Sequence, residues 1–561
     1  MTNRQANAAS NLKGIGGYFR LVFIGILGMF LAFPVALLFW QNLSWQTARL
    51  VWLESDFAAL LFNSSALIAA VAMVAVPSGT AVGYWMQRPN VGGRRTLIVG
   101  VLTCLFVPLP VWAVSWQIIF GEWLPPLTLE PGDVAWRPWK LGLLPAAWIH
   151  AVASLPWVAG IAWLSLQTTN PALEEEALQT AGPRGLFRWV MLPRLAWAMF
   201  VSTVVVGLQV GTEIAVTDAM MVRTFAEEVY TQMVVRSSGL GGAIAATVPV
   251  WLGAALILAV IARWGLRHFR ISPDSIRLAP RATRVRSVRA TLFIWVPFVT
   301  YFGLPLGALV WKAAGGGVQQ PSFSEFGQRL EKAVRTEWVT LLDSSASAAI
   351  TGVVTASLAW IACALGFGSA RYRTVIFGLG LLLLALPGPL LGFAIKQATV
   401  ELVLAERSLL RTFNLAPEFP PLRSLLYDQP SPVPGIWVCV LKFFPLACGI
   451  MAAAMRRVPK SLVETATVEG RSGYSLWRWV VAPLTARAFL FAILAIAALA
   501  FGEVGASKLA QPPARGVFIL RLFDQMHYGA ESTVAAFCLL QLATTWGILF
   551  LLIWLKPERT P

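Results

Sequence analysis

Residues 171–193 read PALEEEALQTAGPRGLFRWVMLP, and residues 460–483 read KSLVETATVEGRSGYSLWRWVVAP. Each stretch sits between apolar runs of about 20 residues, long enough to cross a bilayer as helices. The two stretches match in order: Glu176-Ala177 with Glu464-Thr465-Ala466, Gly182 with Gly470, and Gly185 with Gly473. Phe187-Arg188-Trp189-Val190 then matches Trp477-Arg478-Trp479-Val480, and Pro193 matches Pro483. A polar, helix-forming segment repeated between membrane spans points to an all-α polytopic membrane bundle that meets a soluble partner through two loops.

Working outward, the composition agrees. The chain is 57% hydrophobic and 13% charged, where a soluble domain carries about a quarter charged residues. About twelve spans are expected, near 18–40, 58–86, 97–120, 141–168, 195–216, 243–262, 290–311, 344–368, 374–395, 433–455, 488–501 and 532–555. The first run is too long for a signal-peptide core and no small-residue cleavage site follows it, so it reads as an uncleaved span. The net charge is +17. Basic residues concentrate in one set of alternate loops, together with both termini, which places the termini and the two repeated loops on the cytoplasmic side of a cell (inner or plasma) membrane. Segment 263–289 holds eight arginines against Asp274. It reads as a topology signal that attracts anionic lipid, and nucleic acid is not an expected partner. The five cysteines lie in apolar runs without Cys-x-x-Cys spacing and read as small buried hydrophobes.

Segment 263–289 also divides the chain into residues 1–262 and 290–561, two six-span units. Landmarks recur across it in the same order. Asn63-Ser64-Ser65-Ala66 is matched by Asp343-Ser344-Ser345-Ala346, and Pro108-Leu109-Pro110 by Pro387-Gly388-Pro389. Pro156 with Gly160-Ile161 is matched by Pro445 with Gly449-Ile450, and Gly211-Thr212-Glu213 by Gly502-Glu503. An internal duplication follows. An even number of spans per unit makes the repeats parallel, with a two-fold axis along the membrane normal and a pathway at the seam of two lobes.

Each repeated loop encodes a short helix, a glycine break and a second amphipathic stretch. In the first, Asn170 is placed as N-cap, Pro171 as first helical residue, and Glu174, Glu175 and Glu176 complement the helix dipole. In the second, Ser461 and Glu464 have capping-box spacing. Gly182 and Gly470 can close the helices in a left-handed turn.

This pattern of Glu-Ala-Ala, three residues, glycine, nine residues and a closing Leu-Pro resembles the permease subunits of type I ABC importers. The second loop keeps the interval from Gly470 to Pro483, with Thr465 and Ala482 as departures. The first has Leu178 for the second alanine and is two residues short between Gly182 and Pro193. The resemblance covers nearly the whole chain and is nearest to the fused, double-length permeases of ferric iron and thiamine importers. The stretch Arg223-Thr224-Phe225-Ala226-Glu227-Glu228-Val229-Tyr230 resembles a segment of that group. The resemblance implies coupling helices that dock on two copies of an ATP-hydrolysing subunit. Glu176, Ala177, Gly182, Pro193, Glu464, Ala466, Gly470 and Pro483 then form the ATPase-coupling loops. It also implies an extracytoplasmic solute-binding protein, with ferric iron the first expected solute and thiamine or a phosphonate-like anion next. The outer loops 312–343 and 396–432 are expected to dock that protein.

The chain has no Gly-x-x-x-x-Gly-Lys-Ser/Thr phosphate loop. ATP hydrolysis is therefore expected on a separate subunit, and no cofactor, metal or catalytic residue is assigned. His150, His268 and His527 lack metal-site spacing. The alternative reading is a secondary transporter of the major facilitator kind, for which Gly83-Tyr84-Trp85-Met86-Gln87-Arg88 and Gly92-Gly93-Arg94-Arg95 give a partial motif with Gln87 in place of aspartate. Glu213, Lys442 and Glu503 are candidate pathway residues. For Glu213 and Glu503 the other reading is a helix end or an ion pair between halves. Lys442 either lines a cavity or snorkels.

Overall fold

The computed structural model describes residues 19–42, 46, 49, 57–88, 91–124, 137–167, 169–235, 240–268, 288–318, 320–366, 369–415, 420–428, 430–471, 473–512, 515–529 and 531–554. Every regular element among them is a helix. That is what a bilayer dictates: in hydrocarbon each backbone N–H must find its partner within its own segment. Most of segment 263–289 lies outside the described residues.

In chain order the main helices are α1 Phe19–Leu31, α2 Phe33–Asn42, α3 Phe57–Gln87, α4 Arg94–Cys104, α5 Leu109–Ile118, α6 Leu143–Gln167 and α7 Pro171–Gly185. Then come α8 Leu192–Gly211, α9 Ala215–Ala219, α10 Phe225–Val235, α11 Leu240–His268, α12 Val288–Ala313, α13 Phe323–Leu365 and α14 Ala370–Leu384. The last are α15 Gly388–Thr412, α16 Val433–Arg456, α17 Lys460–Val468, α18 Ala482–Phe501, α19 Ser507–Ala510, α20 Phe518–Met526 and α21 Ser532–Trp554. Among the described residues, nine helices are long and apolar enough to cross a membrane, or up to eleven if two bent pairs each count as one span. The sixth expected span falls on α11, whose described apolar stretch is the shorter Thr247–Val260.

First, the span expected at 97–120 is broken at the Pro108-Leu109-Pro110 landmark, and α4 and α5 meet there at 99°. Pro108 is extended there (φ −63°, ψ 145°), and Pro387 repeats the conformation (φ −58°, ψ 143°) ahead of α15. A proline cannot donate to the turn before it and pushes its predecessor out of the helical region. Second, segments 312–343 and 396–432 are not long loops. Helix α13 starts at Phe323 and α15 runs on to Thr412. Charge removed these stretches from the apolar count, but Glu325–Arg329 and Glu331–Arg335 are ion pairs at i,i+4, the spacing that supports an exposed helix.

Packing repeats itself. Helices α3, α6 and α8 pack against one another, and so do α13, α16 and α18. Small residues set the crossings: a β-carbon on Gly79 would lie 2.6 Å from Val158 Cβ, and one on Gly352 would strike the Ile493 carbonyl. Without a hydrophobic drive between helices in lipid, close backbone approach of this kind holds them together. The outer helices cross over. α12 and α21 pack against α5, while α2 and α11 pack against α15 and α14 respectively. As a result, one buried core joins Leu67, Trp112 and Ile149 to Leu309, Phe523 and Phe537. The other joins Leu27 and Ile244 to Leu390 and Phe444. Each core draws on both ends of the chain, so the bundle is interlocked rather than divided into two lobes.

Candidate functional site

Both repeated loops lie at one end of the bundle. Gln167 Nε2 donates to Gln87 Oε1 (2.7 Å), joining the ends of α6 and α3. Gly92 N donates to Thr291 Oγ1 (2.8 Å) and Trp295 Nε1 to Gly92 O (2.8 Å), bringing the start of α12 to the same end. The Lys312–Glu122 pair (2.8 Å) ties the other end of α12 to the opposite end. Alternation through α13, α14–α15 and α16 then returns the chain to the loop end before α17.

In the first loop Asn170 is the N-cap, accepting from Ala172 N (3.0 Å), and Pro171 opens α7. Gly182 (φ 66°, ψ −172°) breaks the helix in a region only glycine enters freely. In the second loop the expected capping box is absent. Pro459 is the N-cap, without a side-chain bond, and Ser461 lies inside α17. The proline already supplies the extended backbone that starts the helix, which moves the cap two residues upstream of the serine. Gly470 (φ 81°) is followed by a second left-handed glycine, Gly473 (φ 55°).

Glu176 and Glu464 are exposed, Ala177 is half-buried and Ala466 is buried. Beyond the glycines both loops widen into a π-turn, Leu186–Met191 and Trp477–Val481, and run straight into α8 and α18. The turns end where Leu192 N bonds Phe187 O and Ala482 N bonds Trp477 O. Each is followed by a proline, Pro193 or Pro483, whose ring would strike the carbonyl four residues back in a regular helix; the wider turn relieves that clash. Trp189 is 70% exposed and Trp479 63%, with the Arg188 and Arg478 guanidinium groups each 5.4 Å from the ring centroid. Sequence reasoning matched these residues but missed the π-turns, whose signal is the proline after an aromatic pair.

The far ends of α8 and α18 carry the second part of the site. Glu213 folds back over the next turn: Oε1 accepts from Ala215 N (2.6 Å) and Oε2 from Val216 N (3.1 Å), capping α9. Its remaining neighbour is His150 Nε2, 3.7 Å from Oε2. Glu503 does the same before α19, Oε1 accepting from Ala506 N (2.9 Å). Its Oε2 accepts from Lys442 Nζ (2.6 Å). Lys442 is thus paired with Glu503 while about a third of its side chain stays accessible. The turns that carry the two glutamates adjoin: a β-carbon on Gly505 would lie 3.7 Å from Glu503 Oε1 and 3.8 Å from Ile214 Cγ1.

Around them the landmarks converge. A β-carbon on Gly502 would lie 2.7 Å from Pro108 Cγ, and one on Gly388 would lie 3.1 Å from Ala506 N. Helix α9 packs on α5 and α6, and α19 packs on α15 and α16. Ser64 Oγ accepts from Phe225 N (2.9 Å) and Ser344 Oγ from Phe518 N (3.0 Å), holding the starts of α10 and α20 alike. The serines were among the matched landmarks, but sequence gave them no task. A small pocket of about 40 Å³ beside Glu503 is lined by Ser344, Ser347, Thr351, Gln511 and Arg515.

Outside the membrane-spanning helices, His527 reaches Asp218 Oδ2 from Nε2 (3.0 Å) and Phe523 O from Nδ1 (2.8 Å). Both partners accept, so the arrangement favours the imidazolium form, in which both ring nitrogens donate. The Asp218 hydrogen bond accordingly raises the His527 pKa above 6.5. Among the described residues no cluster of His, Cys, Asp or Glu could hold a metal. No family model, curated protein or solved structure matches this chain.

Proposed function

We propose that this chain is the membrane-spanning permease subunit of an ATP-driven importer of the ABC type. It forms the path for a solute delivered by an extracytoplasmic binding protein, and two copies of a separate ATPase dock on its two repeated loops. Residues 1–262 and 290–561 are its two duplicated permease units. Ferric iron is the first candidate solute, then thiamine or a phosphonate-like anion.

One observation carries this reading. Two short exposed helices stand at the same end of the bundle, and each is joined through a π-turn to a 20-residue helix followed by a glutamate that caps the next turn, Glu213 half-buried and Glu503 buried. Twenty helical residues span about 30 Å, so a push on α7 or α17 reaches the bundle interior as rigid-body movement. Glu176 and Glu464 face outward where a basic partner can meet them, and Gly182 and Gly470 set the angle between each short helix and its span. The same contacts made by α3, α5, α6, α8, α9 and α10 recur among α13, α15, α16, α18, α19 and α20, which supports the duplication.

Uptake into vesicles tests the reading against the facilitator alternative. Co-reconstituted with a phosphate-loop ATPase and a binding protein, the chain is expected to accumulate solute only with ATP. Accumulation driven by a proton gradient without ATP would overturn it.

A further inference from the structure

We propose that the two glutamate-capped turns, residues 212–219 and 502–510, form the closed gate of the path, and that Lys442 is the bolt that holds it shut. The inference rests on the transport reading above and extends it to a device inside the bundle.

The turns lie where the chain's two sets of helices touch. A β-carbon on Gly505 would come within 3.8 Å of Ile214 Cγ1. Gly502 abuts Pro108 at one helix bend, and Gly388 and Gly392 abut Ala506 at the other. Glycine at 388 and 392 is what allows α15 to seat directly on the turn backbone. A segment that interrupts helices inside a membrane exposes backbone N–H groups, and the carboxylates supply their acceptors. The Glu213 and Glu503 caps therefore fix the shape of the plug.

The two caps are unequal. Glu503 is paired with Lys442 at 2.6 Å, whereas the one side-chain ion-pair contact of Glu213 among the described residues is the His150 ring at 3.7 Å. Of the two capping carboxylates, Glu503 alone has a lysine in hydrogen-bond reach among the described residues. Lys442 keeps about a third of its side chain accessible (32%), while Glu503 keeps 9%. Lysine is the part free to move. If α18 draws its turn away from α16, the Lys442 ammonium leaves Glu503 with no other cation in hydrogen-bond reach among the described residues. That uncompensated buried charge makes opening costly until the loops are driven. The drive has a direct route, because each turn ends the same helix that begins at a repeated loop.

The chain alone, reconstituted in liposomes without any ATPase, tests this. Efflux of trapped rubidium ion is measured for the wild type, Lys442→Met, Glu503→Gln and Lys442→Arg. Losing a charge-assisted pair should raise the open population, and hence the leak, about tenfold in Lys442→Met and Glu503→Gln. Lys442→Arg, which keeps the cation, should stay at the wild-type rate. A disulfide formed in Ile214→Cys/Gly505→Cys should suppress the leak in the Lys442→Met background. Glu503→Gln keeps the size of the side chain and its cap, so it decides the matter if Lys442→Met does not fold. Folded Glu503→Gln with wild-type leak would overturn the proposal. A raised leak in a chain that no ATPase stimulates would leave the gate standing and sink the importer reading. ATP-driven uptake with an unchanged leak would do the reverse.

Discussion

The two repeated loops do the same geometric job by different local means. The loop at 170–193 starts on an Asn170 side-chain cap and turns once, at Gly182. The loop at 459–483 starts on Pro459 without a side-chain cap and turns twice, at Gly470 and Gly473. The first loop keeps Gly185 at the place of Gly473 but in helical conformation (φ −65°), and its two missing residues lie between that glycine and Phe187. Past that point the register is identical: Arg-Trp, π-turn, proline, span. The buried face differs too. Counted from the glycine, Ala177 is one residue earlier than Ala466, which corresponds to a rotation of about 100° on a helix. Two short helices held at different roll angles present different faces, so the proposed ATPase contacts would be equivalent in position but not in detail.

The largest effect should come from removing both glycine turns. Gly182→Asp with Gly470→Asp is expected to leave the protein inserted, by protease protection in membranes, with uptake at background. The single Gly182→Ala should reduce uptake more than Gly470→Ala. Its strained φ and ψ cost an alanine about 1–3 kcal/mol, and the first loop has no second left-handed glycine to share the turn. Equal losses would break the distinction between the loops.

Next comes the roll angle. Ala466 is 6% exposed and Leu178, at the same distance from its glycine, is 48% exposed. Ala466→Leu should overpack α17 and cost about 1–3 kcal/mol of stability, whereas Leu178→Ala should change it by less than about 0.5 kcal/mol. Thermal unfolding in detergent reads both. The caps give a smaller contrast: Asn170→Ala should cost about 1 kcal/mol, and Ser461→Ala should stay within about 0.5 kcal/mol. A Ser461→Ala loss matching Asn170→Ala would restore the capping box that the structure denies.

The smallest effect lies at the opposite end, where α20 carries His527 to Asp218 and no matching histidine comes from α10. The His527 pKa is raised, so its contribution is complete below about pH 6.5 and fades as pH rises through the higher folded value. Lys508, facing the same ring, opposes the shift. Stability should therefore fall by about 1 kcal/mol or less from pH 6 to pH 8 in the wild type, and the slope should flatten in His527→Gln. An unchanged slope would remove His527 as its source.

The spans were legible because a run of about 20 apolar residues has few other fates. Pro108 and Pro387 marked the breaks, but neither residue carries the 99° angle, which is set by the neighbours packed into the bend. The helical extensions beyond 323 and 396 were hidden by their charge. Asn170 was readable as a cap because its bond is local, two residues away. Glu213, Lys442 and Glu503 were readable as unusual because ionisable groups are rare in spans. Their partnership was not, since Lys442 and Glu503 stand 61 residues apart in the chain. The crossing of α2 and α12 onto the opposite set of helices leaves no mark on hydropathy at all.

The central claim is that the two loops hold two ATPase subunits. Native mass spectrometry of the chain purified with a phosphate-loop ATPase counts them directly. Two ATPases should bind the wild type, one should bind Gly182→Asp or Gly470→Asp, and none the double variant. An ATPase count that ignores both glycines, or no ATPase bound to a chain that still transports, would contradict it.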